Sequence, residues 1–394
     1  MEKERYSYMD KEDKFIESVY SKRKIELVRG KGAIVFDSEG KEYIDCFNGQ
    51  GVALVGHGVE EINSAVKEQM DKISVVALSF YNDVRAEFGE KLASISPKGM
   101  TQAFLANSGT EAIECAIKLS KKYTGKPGIV AMSGGFHGRS LGSLSATWKP
   151  MYRKQYEPLL PDFSHAKFND IESLKQTITE KTGAVMLELV QGEKGVVLAD
   201  KEYVKELREF CTEKELLLII DDVQAFARTG NFFSSQTYNI VPDITAIAKG
   251  MAGGIPMGAC IASPEIMDAF KPGDHGTTMG GNPIACAAGT ATIDYIQKNN
   301  LIEHGASMGE RMLKGLKELE SFNVVREARG IGAMLALEYK FKMAGVLPKI
   351  QESGVIPLTS GKRALRFLPP LCISEEQADK VIEVTKKVTE EFKQ

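Results

Sequence analysis

A lysine and an aspartate in this sequence stand where buried strands meet loops. LLLIIDDVQAFARTG, residues 216–230, ends an apolar run on Asp221, and AIAKGMAGG, residues 246–254, places Lys249 ahead of a glycine cluster. Most lysines are solvated, and most aspartates at strand ends are caps or turn formers. A lysine enclosed in a crevice can instead attack an aldehyde, and a buried aspartate needs a cationic partner. The pair therefore suits a ligand with an aldehyde and a cationic ring.

Two glycine-containing loops could complete such a site. NSGTEAIECAIK, residues 107–118, runs from a strand end into a helix whose first N–H groups can bind a phosphate, although an ordinary N-cap explains the same residues. GGFHGRSLGSLSAT, residues 134–147, suits a loop over a flat ligand and a carboxylate, with a surface turn and a solvated Arg139 as the alternative. A phosphate cup, a stacking aromatic, an acid and an amine are together what pyridoxal phosphate requires.

The composition argues against several classes of function. The chain has 394 residues, of which 43% are hydrophobic and 26% charged, and its net charge of −3 gives no bias toward nucleic acid or anionic membranes. No apolar run approaches the roughly 20 residues of a spanning helix, and MEKERYSYMDKEDKF at the N-terminus lacks the apolar core of a secretory signal. Six cysteines without a CxxC pair, and no clustered histidines, predict no metal site, no disulfide framework and a cytoplasmic protein.

The elements that must position these residues alternate along the chain. Apolar, strand-like runs lie at 102–106, 128–133, 183–189, 216–220, 243–247 and 258–262. Helical patterns fall between several of them, at 111–123 and 202–215. Strands that are apolar throughout and alternate with helices predict a mostly parallel α/β sheet buried on both faces. In such sheets ligands bind at the carboxyl ends of the strands, where the candidate residues stand.

The pattern differs at the two ends of the chain. Residues 30–49 predict a β-hairpin, and from 291 onward helices, a strand-like run and a C-terminal amphipathic helix predict a smaller α+β unit. We therefore predict an N-terminal segment, 1–58, that packs with the small domain. A large cofactor-binding domain would follow at 59–290, and the small domain would occupy 291–394.

Seven motifs resemble those of one enzyme family. In chain order they are NSGTEAIECAIK, FHGRSLGSLSAT, LELVQGEKG, IIDDVQAFARTG, PDITAIAKGMAGGIPMGA, HGTTMGGNP and RFLPPL. They are similar to the motifs of class III (subgroup II) aminotransferases, which bind pyridoxal phosphate and have fold type I. The resemblance implies a large domain with a mostly parallel central sheet, a smaller α+β domain and pyridoxal phosphate as cofactor.

The resemblance also implies a role for individual residues. Lys249 would hold the cofactor aldehyde as an imine and move the substrate proton, and Asp221 would pair with the ring nitrogen. The other implied cofactor contacts are Ser108, Gly109 and Thr110 at the phosphate, Phe136 above the ring with His137 beside it, Val223 below the ring, Gln224 at the ring hydroxyl and Thr278 at the phosphate of the neighbouring subunit. The role of Thr278 implies a homodimer with shared active sites.

Three further residues would bind substrates. Arg139 resembles the arginine that binds the distal α-carboxylate of an acetylornithine-like donor, and Arg366 the arginine that binds the α-carboxylate of 2-oxoglutarate. Glu188, in LELVQGE, matches the glutamate that covers this arginine when a terminal amine must reach the aldehyde. One pocket must accept a primary ω-amine and then a dicarboxylate, and a Glu–Arg pair that can open suits both. A surface salt bridge or two unrelated solvated residues is the alternative.

These residues predict transfer of the terminal amino group of an N-blocked lysine or ornithine, acetylated or linked to a carrier protein, to 2-oxoglutarate. The products would be the semialdehyde and glutamate, in amino-acid biosynthesis. SATWKPMYRKQYEPLLP and CFNGQGVALVGH resemble the acetyl-lysine and acetylornithine branch. The cations Lys149, Arg153 and Lys154 could face a small acidic carrier protein or form a solvated basic face. The alternatives are free ornithine or 4-aminobutyrate as donor, an aminomutase or racemase, and a non-enzymatic nucleotide-binding module.

Two departures from the family pattern lie near these residues. Asp222 stands where the family has glutamate, in a motif one residue shorter, and Leu189 stands where proline is common. They leave the loop conformation and the fit of the substrate open. Asp221 occupies the first acidic position, with Gln224 three residues later, and is therefore the predicted partner of the ring nitrogen.

Overall fold

A computed structural model describes residues 8–17 and 19–392 of the chain. The first seven residues of the predicted charged N-terminal stretch, at 1–7, lie outside the described residues. None of the helices in the described ranges combines the length and the apolar character that crossing a membrane would require.

Sixteen strands are present in the described residues. They are β1 (Leu27–Lys31), β2 (Ile34–Asp37), β3 (Glu42–Cys46), β4 (Gln102–Ala106), β5 (Gly128–Met132), β6 (Phe163–Ala166), β7 (Thr182–Leu187), β8 (Val190–Gln191), β9 (Val197–Leu198), β10 (Leu217–Asp221), β11 (Ile244–Ile247), β12 (Gly258–Ala262), β13 (Val325–Ile331), β14 (Met334–Tyr339), β15 (Val355–Ser360) and β16 (Ala364–Phe367).

Fifteen α-helices lie between and around these strands in the same described ranges. They are α1 (Tyr8–Phe15), α2 (Asn48–Gly51), α3 (Glu60–Lys72), α4 (Asp83–Ile95), α5 (Gly109–Thr124), α6 (Leu141–Ala146), α7 (Pro150–Arg153), α8 (Ile171–Thr177), α9 (Lys201–Glu213), α10 (Ser234–Thr237), α11 (Pro264–Met267), α12 (Pro283–Lys298), α13 (Leu301–Glu318), α14 (Val346–Glu352) and α15 (Glu375–Glu390).

The larger sheet has seven strands in the order β4-β12-β11-β10-β7-β5-β6. Strand β10 is parallel to β7 and β11, strand β5 is parallel to β6 and β7, and only β12 runs against its neighbours β11 and β4. Every residue of β5, β7, β10, β11 and β12 is buried. The predicted mostly parallel α/β sheet is therefore confirmed.

Burial on both faces explains why these strands are apolar throughout. In β10, Leu217 and Ile219 pack into the core that contains α5, while Leu218 and Ile220 pack into the core that contains α9. Because successive side chains of a strand point to opposite faces, a sheet covered by helices on both sides requires an apolar residue at every position.

The smaller sheet also has seven strands, in the order β1-β2-β3-β15-β16-β14-β13. The predicted hairpin is confirmed, since β2 and β3 pair antiparallel with Ile34 opposite Ile44. Strand β3 continues the sheet through parallel pairing with β15, where Ile44 lies opposite Val355. Helices α13 and α15 cover this sheet. The N-terminal hairpin is thus part of the C-terminal α+β unit, whereas the domain boundaries at 58 and 290 stay predictions.

Candidate active site

Loops at the carboxyl ends of five strands of the larger sheet carry predicted site residues. The five strands β4, β5, β7, β10 and β11 run in one direction, so their carboxyl ends share one edge of the sheet. Ser108, Phe136 and Glu188 follow β4, β5 and β7. Asp221 ends β10, and Lys249 follows β11 by two residues. This edge is where α/β sheets bind ligands.

Asp221 is a buried carboxylate whose two oxygens are both engaged. Asp221 Oδ2 lies 2.7 Å from His137 Nδ1. Asp221 Oδ1 accepts a hydrogen bond from Val223 N at 3.0 Å. Burial opposes protonation of His137, but the hydrogen bond and charge of Asp221 outweigh it and raise the pKa of His137. His137, predicted as a cofactor contact, is thus placed against Asp221.

Lys249 enters the same site from the adjacent strand. Its backbone is left-handed, with a φ of 50°, and a Cβ placed on Gly51 would lie 3.9 Å from Lys249 Cδ. In the described part of the chain, no hydrogen bond or ion pair holds its Nζ. Desolvation lowers the pKa of Lys249, and the charges of Asp221 and Glu193 act in the opposite direction. A lowered pKa favours the neutral amine, which is the form that attacks an aldehyde.

The start of α5 carries the three predicted phosphate residues. Ser108 is the N-cap of this 16-residue helix. A Cβ on Gly109 would lie 2.8 Å from Val223 Cγ1, so only glycine fits there without displacing its neighbour. Thr110 Oγ1 lies 2.6 Å from Ser143 Oγ. Free N–H groups at a helix start, together with hydroxyl groups, suit a phosphate. Gly109 therefore packs directly against Val223, the predicted floor of the ring site.

Glu188 holds two loops of the site together. Its side chain is buried, and its two carboxylate oxygens accept hydrogen bonds from Phe136 N at 2.9 Å and Gly192 N at 3.1 Å. Burial raises the pKa of Glu188 to about 7, and the charge of Asp221 adds to the rise. Glu188 therefore fixes the backbone of the predicted ring-stacking residue Phe136.

The predicted pairing of Glu188 with Arg366 is wrong, because Arg366 pairs with Glu193. Arg366 Nη2 donates to Glu193 Oε1 at 2.6 Å, and Arg366 Nη1 donates to Gln224 Oε1 at 3.3 Å. Both glutamates belong to the motif LELVQGEKG. The folded backbone carries them to different places. Glu188 directly follows β7, and its carboxylate accepts hydrogen bonds from backbone N–H groups. Glu193 lies beyond β8, and its carboxylate reaches Arg366 in β16 of the smaller sheet.

Arg139 and Thr278 lie at the edge of the site in the single chain. Arg139 is exposed, and its Cζ lies 3.7 Å from the centroid of the Tyr152 ring, a contact that the sequence did not indicate. Thr278 is exposed as well, and the adjacent Thr277 Oγ1 accepts a hydrogen bond from Asn107 Nδ2 at 3.3 Å. The structure thus brings Asp221, Lys249 and the α5 start together but leaves Thr278 on the surface.

An open cavity of about 890 Å³ lies between the two sheets next to Phe136. Its lining residues from the large sheet side include Phe136, Trp148, Lys149 and Tyr152, and those from the small sheet side include Arg326, Arg329, Lys362 and Arg363. Glu193 also lines it, so the Arg366–Glu193 pair adjoins the cavity. A volume of this size accommodates an amino-acid substrate with room for a larger attached group.

Comparison with known proteins decides the family. A model of the family "Aminotransferase class-III" matches residues 16–389, nearly the whole chain. This chain is a class III aminotransferase. The aminotransferase is 42% identical to the acetylornithine aminotransferase of Methanopyrus kandleri over 374 residues, 94% of this chain and 95% of that protein. It is 40% identical to the [LysW]-aminoadipate semialdehyde transaminase of Deinococcus radiodurans over 381 residues, 96% of this chain and 89% of that protein.

The fold of the aminotransferase matches solved structures of the same kind. The ornithine aminotransferase of Toxoplasma gondii, solved with partial occupancy of pyridoxal phosphate at its active site, superposes with a TM-score of 0.93 at 26% identity, covering 98% of this chain and 96% of that one. The acetylornithine aminotransferase of Elizabethkingia anophelis gives 0.87 at 28% identity, covering 98% of each chain. The predicted fold type I is therefore confirmed.

The aminotransferase uses pyridoxal phosphate, and its own residues fit that cofactor. A buried aspartate suits a cationic ring nitrogen, and a lysine with a lowered pKa and no partner in the described chain suits an aldehyde. The α5 start suits a phosphate, since the backbone N–H groups of the first helical turn and the hydroxyl of Thr110 lie there. When bound, the cofactor supplies an electron sink for the bond broken at the carbon that bears the amine.

Proposed function

We propose that this aminotransferase transfers the terminal amino group of an N-blocked lysine or ornithine to 2-oxoglutarate, giving the semialdehyde and glutamate in amino-acid biosynthesis. Relatives named acetylornithine aminotransferase and [LysW]-aminoadipate semialdehyde transaminase, at about 40% identity, support this choice of donor. The structural observation that carries the proposal is the ion pair between Arg366 and Glu193 beside Lys249.

This ion pair lets one site accept two kinds of substrate. A donor that reacts through a terminal amine brings methylene groups past Arg366, and Glu193 then neutralises the guanidinium. Glutamate and 2-oxoglutarate bring an α-carboxylate, which needs Arg366 as its bidentate partner. The Arg366 side chain is 3% exposed and that of Glu193 is 33% exposed, so Glu193 is the member free to move toward the cavity.

In this proposal the chain's own residues divide the work. Lys249 would hold the cofactor aldehyde and carry the proton at the substrate carbon, since its pKa is lowered by burial. Asp221, backed by His137, would pair with the ring nitrogen. Phe136 and Val223 would enclose the ring, and Gln224 would hold its hydroxyl. Ser108, Gly109 and Thr110 would hold the phosphate, and Arg139 would bind the distal carboxylate of the donor.

A homodimer with shared active sites is part of the proposal. Arg85 donates hydrogen bonds to Val76 O at 2.7 Å, Phe80 O at 3.0 Å and Gly281 O at 3.0 Å, which fixes an exposed segment beside the Thr278 loop. In that segment Phe80 is 68% exposed and Tyr81 is fully exposed. Contiguous exposed apolar side chains mark protein–protein interfaces. Pairing of two copies there would bring Thr278 toward the partner's phosphate site.

The blocked donor can be acetylated or linked to a carrier protein, and the carrier-linked donor is the larger of the two. Lys194, Lys362 and Arg363 line the cavity mouth and form no ion pair within the described chain, and Lys149 lies over the Tyr152 ring. Lys154 is exposed, whereas Arg153 contacts His165. These unpaired cations would attract an acidic carrier protein.

A cytoplasmic location also belongs to the proposal, supported by six cysteines that are all free thiols.

A single-turnover screen of amines tests the proposal. Acetylornithine, acetyl-lysine, carrier-linked lysine, free ornithine and 4-aminobutyrate are mixed separately with the holoenzyme, and loss of the absorbance of lysine-bound cofactor is followed. We expect a blocked diamine to react fastest, and 2-oxoglutarate to restore the absorbance with formation of glutamate. Fastest reaction with 4-aminobutyrate or free ornithine would overturn the choice of donor, and failure of 2-oxoglutarate to accept the amine would favour an aminomutase or racemase.

A further inference from the structure

We propose that Tyr152 positions Arg139 and thereby sets the affinity of the enzyme for donors that carry a distal carboxylate. Tyr152 lies in the short helix α7, in contact with Phe136 and with the exposed Arg139. This inference rests on the proposed function, in which Arg139 binds the donor carboxylate.

The guanidinium carbon of Arg139 lies over the face of the Tyr152 ring. This carbon, Cζ, lies 3.7 Å from the centroid of the Tyr152 ring and 5.6 Å from that of Phe136. Among the described residues no ion pair or hydrogen bond engages its side chain, and only its backbone N donates, to Thr110 Oγ1 at 3.4 Å. Stacking on an aromatic face leaves the N–H groups at the edge of the guanidinium free. Those groups are the ones that bind a carboxylate in bidentate fashion.

Tyr152 links the predicted ring-stacking residue to the carboxylate-binding one. Its ring meets that of Phe136 edge-on, with centroids 5.9 Å apart and planes at 83°. Tyr152 and Phe136 both line the cavity, and Lys149 Nζ lies 5.2 Å from the Tyr152 ring. The Tyr152 ring therefore contacts both the predicted ring-stacking residue and Arg139. It also attracts two cations that would otherwise repel each other.

Positioning of this kind acts on substrates that carry a distal carboxylate. An exposed arginine without a stacking partner samples many rotamers and must lose that freedom when it binds a carboxylate. An amine that lacks a carboxylate makes no use of Arg139. Loss of the Tyr152 ring should therefore weaken the binding of carboxylate-bearing donors and spare a donor that has the amine alone.

The test compares Tyr152→Leu with the matched variant Tyr152→Phe in single-turnover kinetics of the holoenzyme. For Tyr152→Leu we expect the concentration of acetylornithine that gives half the maximal rate to rise by about 3- to 10-fold, with the maximal rate within about twofold of the parent. Tyr152→Phe keeps the ring and should behave as the parent.

Acetylputrescine, which has the same terminal amine but lacks the carboxylate, provides the decisive comparison. It should react with Tyr152→Leu as it does with the parent enzyme. An equal loss for acetylputrescine would show a merely structural role, and a loss in Tyr152→Phe would assign the effect to the hydroxyl group. Either result would overturn the inference.

Arg139→Gln separates this inference from the proposed function. If Arg139→Gln leaves the affinity for acetylornithine unchanged, the proposed donor site is wrong. If Arg139→Gln weakens acetylornithine binding while Tyr152→Leu does not, the donor site stands and only the positioning role of Tyr152 fails. The inference is supported when both variants weaken acetylornithine and neither affects acetylputrescine.

Discussion

Asp221 and Lys249 come from neighbouring strands, and their surroundings suit them to different tasks. In the parallel pair β10 and β11, Asp221 lies opposite Ala246, three residues before Lys249. His137 holds the carboxylate of Asp221 from one side, while Lys249 has no hydrogen-bond partner in the described residues. The acid is thus fixed in place, and the amine remains available for a covalent bond.

Replacement of Lys249 by alanine tests its role at the residue scale. We expect Lys249→Ala to bind the cofactor without the absorbance band of lysine-bound pyridoxal phosphate, and to lose activity by a factor on the order of 10²–10⁴, because both the covalent link and the proton carrier are gone. Absorbance spectra and steady-state rates measure this. Lys175→Ala, which removes an exposed lysine paired with Glu172, is the control and should keep both. Retention of the band in Lys249→Ala would refute the assignment.

Glu193→Gln tests the ion pair with Arg366. Without the carboxylate, Arg366 keeps an unneutralised charge while an ω-amine reacts, so we expect the donor half-reaction to slow by about tenfold, the size of one charge-assisted hydrogen bond. The half-reaction with glutamate should be spared or accelerated. Single-turnover rates with acetylornithine and with glutamate measure the two effects.

The control for this variant is Glu327→Gln, which removes a carboxylate that lines the same cavity and pairs with Arg329. It should leave the ratio of the two half-reactions unchanged. If Glu193→Gln slows acetylornithine and glutamate equally, the pair does not discriminate between substrates.

At the scale of elements, the start of α5 must lie close to the loop after β10. A Cβ on Gly109 would approach Val223 Cγ1 to 2.8 Å, so Gly109→Ala must push the helix start away from the ring site. We expect the affinity of the apoenzyme for pyridoxal phosphate to fall by at least about tenfold, measured by titration. Gly89→Ala is the matched control, since Gly89 lies in α4 and nothing lies within 4 Å of its added Cβ. Equal affinity of both variants would contradict this packing argument.

A buried acid joins the end of β10 to α10. Asp222 is fully buried, its Oδ2 accepts a hydrogen bond from Ser234 N at 3.1 Å, and burial raises its pKa to about 7. An acid whose pKa is raised on folding binds a proton more tightly in the folded state. Its stabilising contribution is therefore present below its unfolded pKa of about 4 and is lost as the pH rises through about 7.

Asp222→Asn removes this pH dependence. Between about pH 5 and about pH 7 the free energy of unfolding of the parent apoenzyme should fall more steeply than that of the variant, by up to about 1.4 kcal/mol per pH unit. Urea unfolding at several pH values measures the two slopes. Glu188, whose pKa is also raised to about 7, is present in both proteins, so the difference isolates Asp222. Identical slopes would show that Asp222 does not titrate in this range.

At the scale of the whole molecule, the shared active site can be tested by subunit mixing. Lys249→Ala and Thr278→Arg are each expected to be nearly inactive as homodimers. In a mixed dimer, the subunit with Thr278→Arg keeps Lys249 and receives Thr278 from its partner, so one of two sites is complete. Refolding the two variants at a one-to-one ratio should restore about a quarter of the parent activity, since half of the dimers are mixed. No recovery would mean that Thr278 acts within its own chain or that the enzyme is a monomer.

The sequence predicts the strands of the large sheet and the positions of Asp221 and Lys249 because these features depend on neighbouring residues in the chain. The predicted run at 258–262 coincides with β12, since a strand buried on both faces is apolar at every position. Asp221 and Lys249 stand at or just after such runs. Because the predicted strands are parallel, both residues were expected at the same edge of the sheet.

The sequence by itself determined the α/β sheet, the aminotransferase family and the residues at the strand ends, because each rests on short stretches of chain. Only the tertiary structure decided that Glu193 rather than Glu188 meets Arg366, that Tyr152 lies under Arg139, and that β3 joins β15 about 300 residues later. These contacts depend on the paths of loops and on pairing between distant segments. Neither produces a periodic or adjacent pattern in the sequence.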